Sequence, residues 1–187
     1  MINTYKDLQN YLIEDSKNYQ SQLVFFKRIK SRFLSNPIDD QYYIWKYIYV
    51  LRHVEYYTNN NRKGINILLK IFYLWRLRKL SYKTGFQIPP NTCDKGITIW
   101  HWGSIILNGN VRIGKNCTLY PGVLIGWKGA DNKACAKIGN NVFIGAGTKI
   151  IGGVNIGNNV IIGQNLVITK DIPDNSIIVT SSNTRLL

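Results

Sequence analysis

The sequence predicts a mainly β chain, a parallel β-helix preceded by an α-helical region. Three observations predict it. Isoleucine recurs every six residues at Ile138, Ile144, Ile150, Ile156, Ile162 and Ile168. A second set, mostly aliphatic, follows four residues later at Val142, Thr148, Val154, Val160, Leu166 and Ile172. The residues before Gly85 have no such period and repeat their apolar positions at helical spacing.

A sixfold period with one large aliphatic residue is the signature of hexapeptide coils. Three short strands close one triangular coil of 18 residues, with each isoleucine stacked on its equivalent in the next coil. Gly and Asn fall where the chain must bend. A β-meander would show period two without the sixfold lock.

The helical region reads in three pieces. Leu8, Tyr11, Leu12, Leu23, Phe26, Ile29 and Phe33 predict a helical stretch over residues 3–34, stopped by Asn36-Pro37. Asp39 and Asp40 offer caps for a second helix from Gln41 to about Tyr57. A third helix is expected from about Gly64 to Lys83, ended by Thr84-Gly85. The expected organisation is a helical region over 1–84, a β-helix domain over 85–180 and a tail over 181–187. Upstream, the coil register runs through Leu107, Ile113, Leu119 and Ile125, with Val111, Cys117 and Val123 as the second set. Ile125 to Ile138 is one residue more than two repeats, so Trp127–Ala136 should leave the coil as a loop.

Composition narrows the functional classes. The 187 residues are 45% hydrophobic and 18% charged, which suits a packed core. Cys93, Cys117 and Cys135 cannot close a disulfide framework and lack metal-knuckle spacing, so no metal is expected. No signal peptide is visible, and the apolar runs are broken by Lys or Arg. Lys and Arg total 24 against 10 acids, a net charge of +14, concentrated before residue 84. A basic face attracts nucleic acid, anionic lipid or an acidic polymer. No nucleic-acid fold signature accompanies it, so no nucleic-acid partner is expected. The basic amphipathic third helix could lie on a membrane surface or pack against the next domain or a sister subunit.

Four motifs then point to a family. They are Gly85-Phe86-Gln87-Ile88-Pro89-Pro90, Ile99-Trp100-His101-Trp102-Gly103, Tyr120-Pro121-Gly122-Val123-Leu124-Ile125-Gly126, and Lys137-Ile138-Gly139-Asn140-Asn141-Val142-Phe143-Ile144-Gly145-Ala146-Gly147. With the close Ile168-Thr169-Lys170-Asp171-Ile172-Pro173, they resemble the left-handed β-helix acyltransferases that use acetyl-CoA. The likeness is greatest to the serine acetyltransferase group and its relatives in capsule and O-antigen gene clusters. It covers about residues 76–179 and implies a left-handed coil and an O-acetyltransferase.

The resemblance also assigns residues. His101 matches the general base, which takes the proton from an acceptor hydroxyl as that hydroxyl attacks a thioester; imidazole titrates close to neutrality and suits the task. Counted back from Leu107, His101 would occupy an interior slot, so either the register slips in the first coil or the ring faces a cleft. His53, among helical aromatics, reads as packing or surface. Gln87 stands where serine acetyltransferases carry an orienting Asp; Asp94 is a second candidate by proximity alone. Gly126, Ala146 and Gln164 match the pantetheine slot, with Thr169 and Lys170 near the nucleotide end.

The departures concern the acceptor. Trp100 replaces the acid before the base, and Ala134-Cys135 replaces an Arg-His pair, so the charges that would hold a serine zwitterion are missing. Trp100, Trp102 and Trp127 supply aromatic surface suited to the apolar face of a sugar ring, with Cys135 beside the acceptor. Cys135 as a nucleophile is disfavoured, because the family transfers directly. The expected reaction is acetyl transfer from acetyl-CoA to a sugar hydroxyl of a surface polysaccharide or its lipid-linked precursor. Serine O-acetylation in cysteine biosynthesis is the alternative. The resemblance implies a homotrimer with sites at subunit interfaces, in the cytoplasm or at the inner membrane face.

Overall fold

The computed structural model describes residues 1–22, 41–60, 64–129 and 134–180. The expected caps Asp39 and Asp40, the Asn36-Pro37 stop, most of the proposed loop tip and the C-terminal tail lie outside the described residues.

Helix α1 spans Tyr5–Ser16. The Thr4 hydroxyl accepts from the Asp7 N–H at 3.1 Å, and the Asp7 carboxylate accepts from the Thr4 N–H at 2.8 Å. The helix ends at Ser16, within the stretch expected over residues 3–34, of which the part after residue 22 lies outside the described residues. A 3-10 turn follows over Lys17–Gln22, with Tyr19 out of helical geometry at φ −128°, ψ 26°. That departure lets the buried Tyr19 hydroxyl accept from the Ile99 N–H at 2.7 Å and donate to the Ile99 carbonyl at 3.2 Å. A tertiary hydrogen-bond pair with the coil overrides local periodicity.

Helix α2 spans Gln41–Asn59 and α3 spans Ile65–Thr84. Gly85 closes α3 in the left-handed region at φ 79°, its N–H on the Ser81 carbonyl at 2.9 Å. His53 packs between Tyr49 and Tyr73, with centroids at 4.2 and 4.7 Å, and its Nδ1 lies 2.8 Å from the Tyr49 carbonyl. Burial pushes its pKa down; the Tyr49 hydrogen bond opposes this and Arg76 reinforces it.

The described residues that follow form a left-handed β-helix of short parallel strands: β1 (Phe86–Gln87), β2 (Thr98–Ile99), β3 (Ile105–Leu107), β4 (Arg112–Ile113), β5 (Thr118–Leu119), β6 (Leu124–Gly126), β7 (Lys137–Ile138), β8 (Phe143–Ile144), β9 (Lys149–Ile151), β10 (Asn155–Ile156), β11 (Ile161–Ile162), β12 (Val167–Ile168) and β13 (Ile177–Ile178). Three sheets form its faces: sheet A holds β1-β3-β6-β9-β12, sheet B holds β4-β7-β10, and sheet C holds β2-β5-β8-β11-β13. The sixfold period maps directly onto them. Leu107, Ile125, Ile150 and Ile168 stack inside sheet A; Ile113, Ile138 and Ile156 inside sheet B; Ile99, Leu119, Ile144 and Ile162 inside sheet C. At one corner Asn116, Asn141, Asn159 and Asn175 all hold φ of 55–59°, and their side-chain amides hydrogen-bond up the column.

The first coil and the loop region depart from the period, and the last coil is shortened: Ile172 bridges Ile156 and Ile178 pairs with Ile162, so Ile172 takes the slot of an inward isoleucine. From Ile125 to Ile138 the chain leaves as the expected loop, of which residues 127–129 and 134–136 are described. In the first coil, Ile99 pairs with Leu119 while Leu107 pairs with Ile125. Eight residues there do the work of six, so the corner between sheets C and A carries two extra residues. Leu107 and His101 are therefore not a repeat apart in structure: the slip turns Trp100, His101 and Trp102 out to solvent while Ile99, stacked on Leu119, takes the interior slot.

A buried ion cluster joins the helices to the first coil. Arg52 is fully buried; its Nε donates to Asp15 at 2.7 Å and its Nη1 to Glu55 at 2.9 Å. The same guanidinium donates to the carbonyls of Cys93 and Asp94 at 2.8 and 2.9 Å. Asp15 accepts from the N–H groups of Gly96 and Ile97, and Glu55 from that of Asn91. Burial works against the guanidinium's charge, but Glu55 and Asp15 outweigh it and hold Arg52 above its already high ordinary pKa.

Removing one partner from such a cluster strands buried charge. Arg52→Ala should lower the unfolding free energy by about 3–5 kcal/mol in urea denaturation; a loss below about 1 kcal/mol would contradict the role given to it. His53 has a folded pKa below its unfolded one, so the unfolded chain binds the extra proton. Its contribution is complete above about pH 6.5 and is lost as pH falls through that value towards the folded pKa. Thermal unfolding should show this acid loss in the native chain and less of it in His53→Phe.

Candidate functional site

The two-residue expansion shapes the candidate site. Trp100, His101 and Trp102 project from the corner between sheets C and A, each exposed. The helical region holds this corner from outside. Gln41, at the start of α2, donates to the Trp100 carbonyl at 2.7 Å. Tyr43 stacks on Trp102 with centroids 5.8 Å apart, and the Lys83 ammonium of α3 lies 5.6 Å from the Tyr43 centroid. On the coil side, the His101 ring meets Tyr120 edge-on at 6.3 Å, and Tyr120 packs on Phe143 at 5.3 Å.

The coils below form a tightly stacked column at the same corner. Gly103 donates to Thr84, Gly122 to Ser104, Gly147 to Pro121 and Asn165 to Ala146, at 2.6–2.9 Å. Gly122 has φ 81°, and a Cβ there would lie 3.0 Å from the Gly147 backbone. Ala146 and Gln164 thus sit on successive coils, as their 18-residue spacing predicts. Lys149 reaches the same column, its ammonium donating to the carbonyls of Gly122 and Gly147 at 2.7 and 2.9 Å.

The remaining candidates lie elsewhere. Gly126 ends β6 at the opposite edge of sheet A, where its carbonyl accepts from Gly152 at 2.8 Å. Thr169 and Lys170 follow β12 at that same edge and are exposed. Trp127 opens the loop there and Cys135 lies on its return. Within one chain, Trp127 is a strand's length from Trp100 and Trp102, so the three do not form one aromatic surface. Burial pushes the Cys135 thiol pKa up against the opposing effect of Arg112, which disfavours a thiolate.

Of the two orienting candidates, Gln87 lies on the exposed face of β1, two residues past the Gly85 that stacks on Gly103. Asp94 belongs to a different place. Burial acts to raise its pKa, but hydrogen bonds from the Tyr11 hydroxyl and the Lys95 N–H lower it overall, beside the Arg52 cluster. Sequence proximity misled because residues 91–97 pass under the helices before the chain reaches the corner. A cleft does open there, lined by Tyr11, Glu55, Asp94, Arg112 and Lys137, but Glu55 is committed to Arg52 and Asn91.

Sequence reasoning gave no role to Gln41, Tyr43, Lys83, Tyr120 or Lys149. Tyr120 and Lys149 carried a usable signal, since coil spacing places both near the His101 column. The α2 residues carried none, being far from the corner in sequence.

Comparison with known proteins yields a consistent picture. Residues 135–170 match the bacterial transferase hexapeptide (six repeats) family model. WcaB of Escherichia coli (strain K12), named for acetyl transfer in colanic acid biosynthesis, is 42% identical over 96 residues, covering 51% of this chain and 59% of that protein. The serine acetyltransferase of Staphylococcus xylosus is 37% identical over 98 residues, covering 51% of this chain and 45% of that enzyme. The chain thus matches about half the length of these curated relatives. Among solved structures, a serine acetyltransferase in complex with CoA superposes with TM-score 0.68 at 21% identity, covering 95% of this chain and 69% of that one. The serine acetyltransferase of Brucella abortus gives 0.64 at 19%, covering 94% and 67%. These two share the fold.

Gly122→Ala should cost about 1–3 kcal/mol, through its positive φ and its contact with Gly147. Chemical denaturation checks this; an unchanged midpoint would mean the column tolerates a side chain. Tyr43→Ala should leave global stability within about 2 kcal/mol but free Trp102, read as increased quenching of tryptophan fluorescence by acrylamide.

Proposed function

We propose that this hexapeptide β-helix is an acetyl-CoA-dependent O-acetyltransferase whose acceptor is a sugar hydroxyl of a surface polysaccharide or its precursor. The observation that carries the proposal is the expanded first-coil corner, which turns His101 outward between two exposed tryptophans. The match to WcaB over half the chain supports the reaction class.

In this reading an unprotonated imidazole nitrogen of His101 removes the acceptor hydroxyl proton as the oxygen attacks the thioester carbonyl. The tetrahedral intermediate collapses, the C–S bond breaks, and the proton passes from the imidazolium to the departing CoA sulfur. No acyl-enzyme forms, which accords with the raised pKa of Cys135. Gln87 is proposed as the neutral group that orients the base. Trp100 and Trp102 offer apolar faces to the sugar ring, with Tyr43 fixing Trp102.

The donor is proposed to lie along the coil edges past Ala146 and Gln164, with Gly126 near the thioester and Thr169 and Lys170 towards the phosphates. These residues divide between two edges of sheet A, a strand's length apart. The proposed homotrimer resolves this: the edge bearing Gly126, Trp127 and Cys135 would complete the His101 corner of a neighbouring subunit. A cytoplasmic location follows from the donor.

A second reading, serine O-acetylation, is favoured by the 37% identity to the Staphylococcus xylosus serine acetyltransferase. It needs charges for a zwitterion, and the matched positions hold Trp100, Ala134 and Cys135.

Thiol release from acetyl-CoA, with sugars and glycan fragments compared with L-serine, separates the two. Sugar-dependent turnover is expected. His101→Ala should lower kcat by about 10²–10⁴ while thermal stabilisation by CoA persists. Robust serine turnover would favour the second reading, and full activity in His101→Ala would remove the base.

A further inference from the structure

Helix α3 has an outer face that the fold does not use. Its inner stripe is set by Leu77, Leu80 and Thr84, which are buried. On the opposite stripe Ile65, Leu68, Ile71, Phe72 and Trp75 follow one another at three-to-four spacing, each between 46% and 67% exposed. Further along the same stripe the character changes to Arg78, Lys79, Tyr82 and Lys83, all exposed. The face is therefore apolar over its first three turns and cationic over its last two.

The cations serve the aromatic half as well. Lys79 lies 3.8 Å over the Trp75 ring, and Arg76 sits 5.5 Å over that of Phe72. No Asp or Glu occurs anywhere in α3, and the whole chain carries +14. No helix among the described residues is long and apolar enough to cross a membrane.

We propose that the outer face of α3 docks on an anionic membrane surface. Ile65, Leu68, Ile71, Phe72 and Trp75 enter the interface between headgroups and acyl chains, and Arg78, Lys79 and Lys83 pair with lipid phosphates. The alternative occupant is a second copy of this chain. It fits less well, because antiparallel pairing lays each basic half on an apolar one. Parallel pairing sets like charges together, and neither supplies a counter-charge from α3. A lipid surface supplies both an apolar layer and a negative one.

The docking face ends at the site. Lys83 reaches Tyr43, and Tyr43 stacks on Trp102 beside His101. If the acetyl-transfer reading holds, an α3 lying on the membrane sets the His101 corner near the surface, and the acceptor is a sugar still attached to its lipid carrier. That consequence rests on the proposed reaction; vesicle binding does not.

The test is co-sedimentation of the full chain with vesicles of phosphatidylcholine alone or mixed with phosphatidylglycerol, at low and high salt. The expected result is binding to the mixed vesicles only, weakened by salt. Arg78→Gln/Lys79→Gln should weaken it by about thirtyfold, and Leu68→Gln/Trp75→Gln by at least about tenfold. Circular dichroism and CoA-dependent stabilisation should stay native in both variants, which separates loss of docking from loss of fold or of the donor site. Binding that ignores lipid charge, or native-like binding by both variants, would overturn the proposal. So would a fall in oligomer size of Leu68→Gln/Trp75→Gln in vesicle-free ultracentrifugation, which would make the face a contact between copies.

Discussion

The Arg52 cluster is the constraint on which the rest of the molecule depends. One buried guanidinium ties α1 through Asp15, α2 through Glu55 and the first coil through two carbonyls. Its carboxylate partners bind the backbone of residues 91, 96 and 97 in turn. That network places the start of α2 against the expanded corner of the first coil. The contacts from Gln41 and Tyr43 to Trp100 and Trp102 follow from that placement. A buried ion cluster contributes little net stability over an apolar substitute, but it fixes geometry because each hydrogen bond has few alternatives. Here the geometry it fixes is the attachment of a helical layer to the open end of a coil.

The coil supplies the complementary rigidity. Stacked isoleucines, asparagine columns and glycine-backbone contacts leave each rung little freedom. A rigid, repetitive scaffold has no chemistry of its own, so function arises where the period breaks. Both principal breaks lie beside sheet A: the two extra residues around His101 and the loop after Gly126. The first turns an imidazole out of an otherwise apolar register, where its burial would be costly. The second carries Trp127 and Cys135 at the far edge of the same sheet. In the proposed homotrimer such edges would meet at the interface between subunits.

Much of the fold was legible because the coil is periodic. Ile138 to Ile168 locate two inward residues in each of the three strand columns, and Gly85 marks the end of α3. The N-terminal helix was less legible: its spacing persists beyond Ser16, while Tyr19 leaves the helix for a pair of hydrogen bonds to Ile99, a contact with no local signature. The site was legible only in part. His101 stood out through its neighbours, and its awkward register hinted at the slip that strand pairing reveals. Asp94 shows the opposite case, a carboxylate near in sequence but committed to Tyr11. Tyr43 and Gln41 act across a tertiary contact that no spacing rule reaches.

The central claim is that donor and base meet at the corner column built on Gly103, Gly122, Gly147 and Asn165. Hydrogen–deuterium exchange with and without CoA tests it most directly, because it reports where the backbone is covered whatever the acceptor. The account predicts CoA-dependent protection of peptides spanning residues 100–105, 120–126, 145–149 and 163–170, with little change in residues 5–16. Protection confined to the cleft near Arg112 and Lys137, with the corner unaffected, would contradict it.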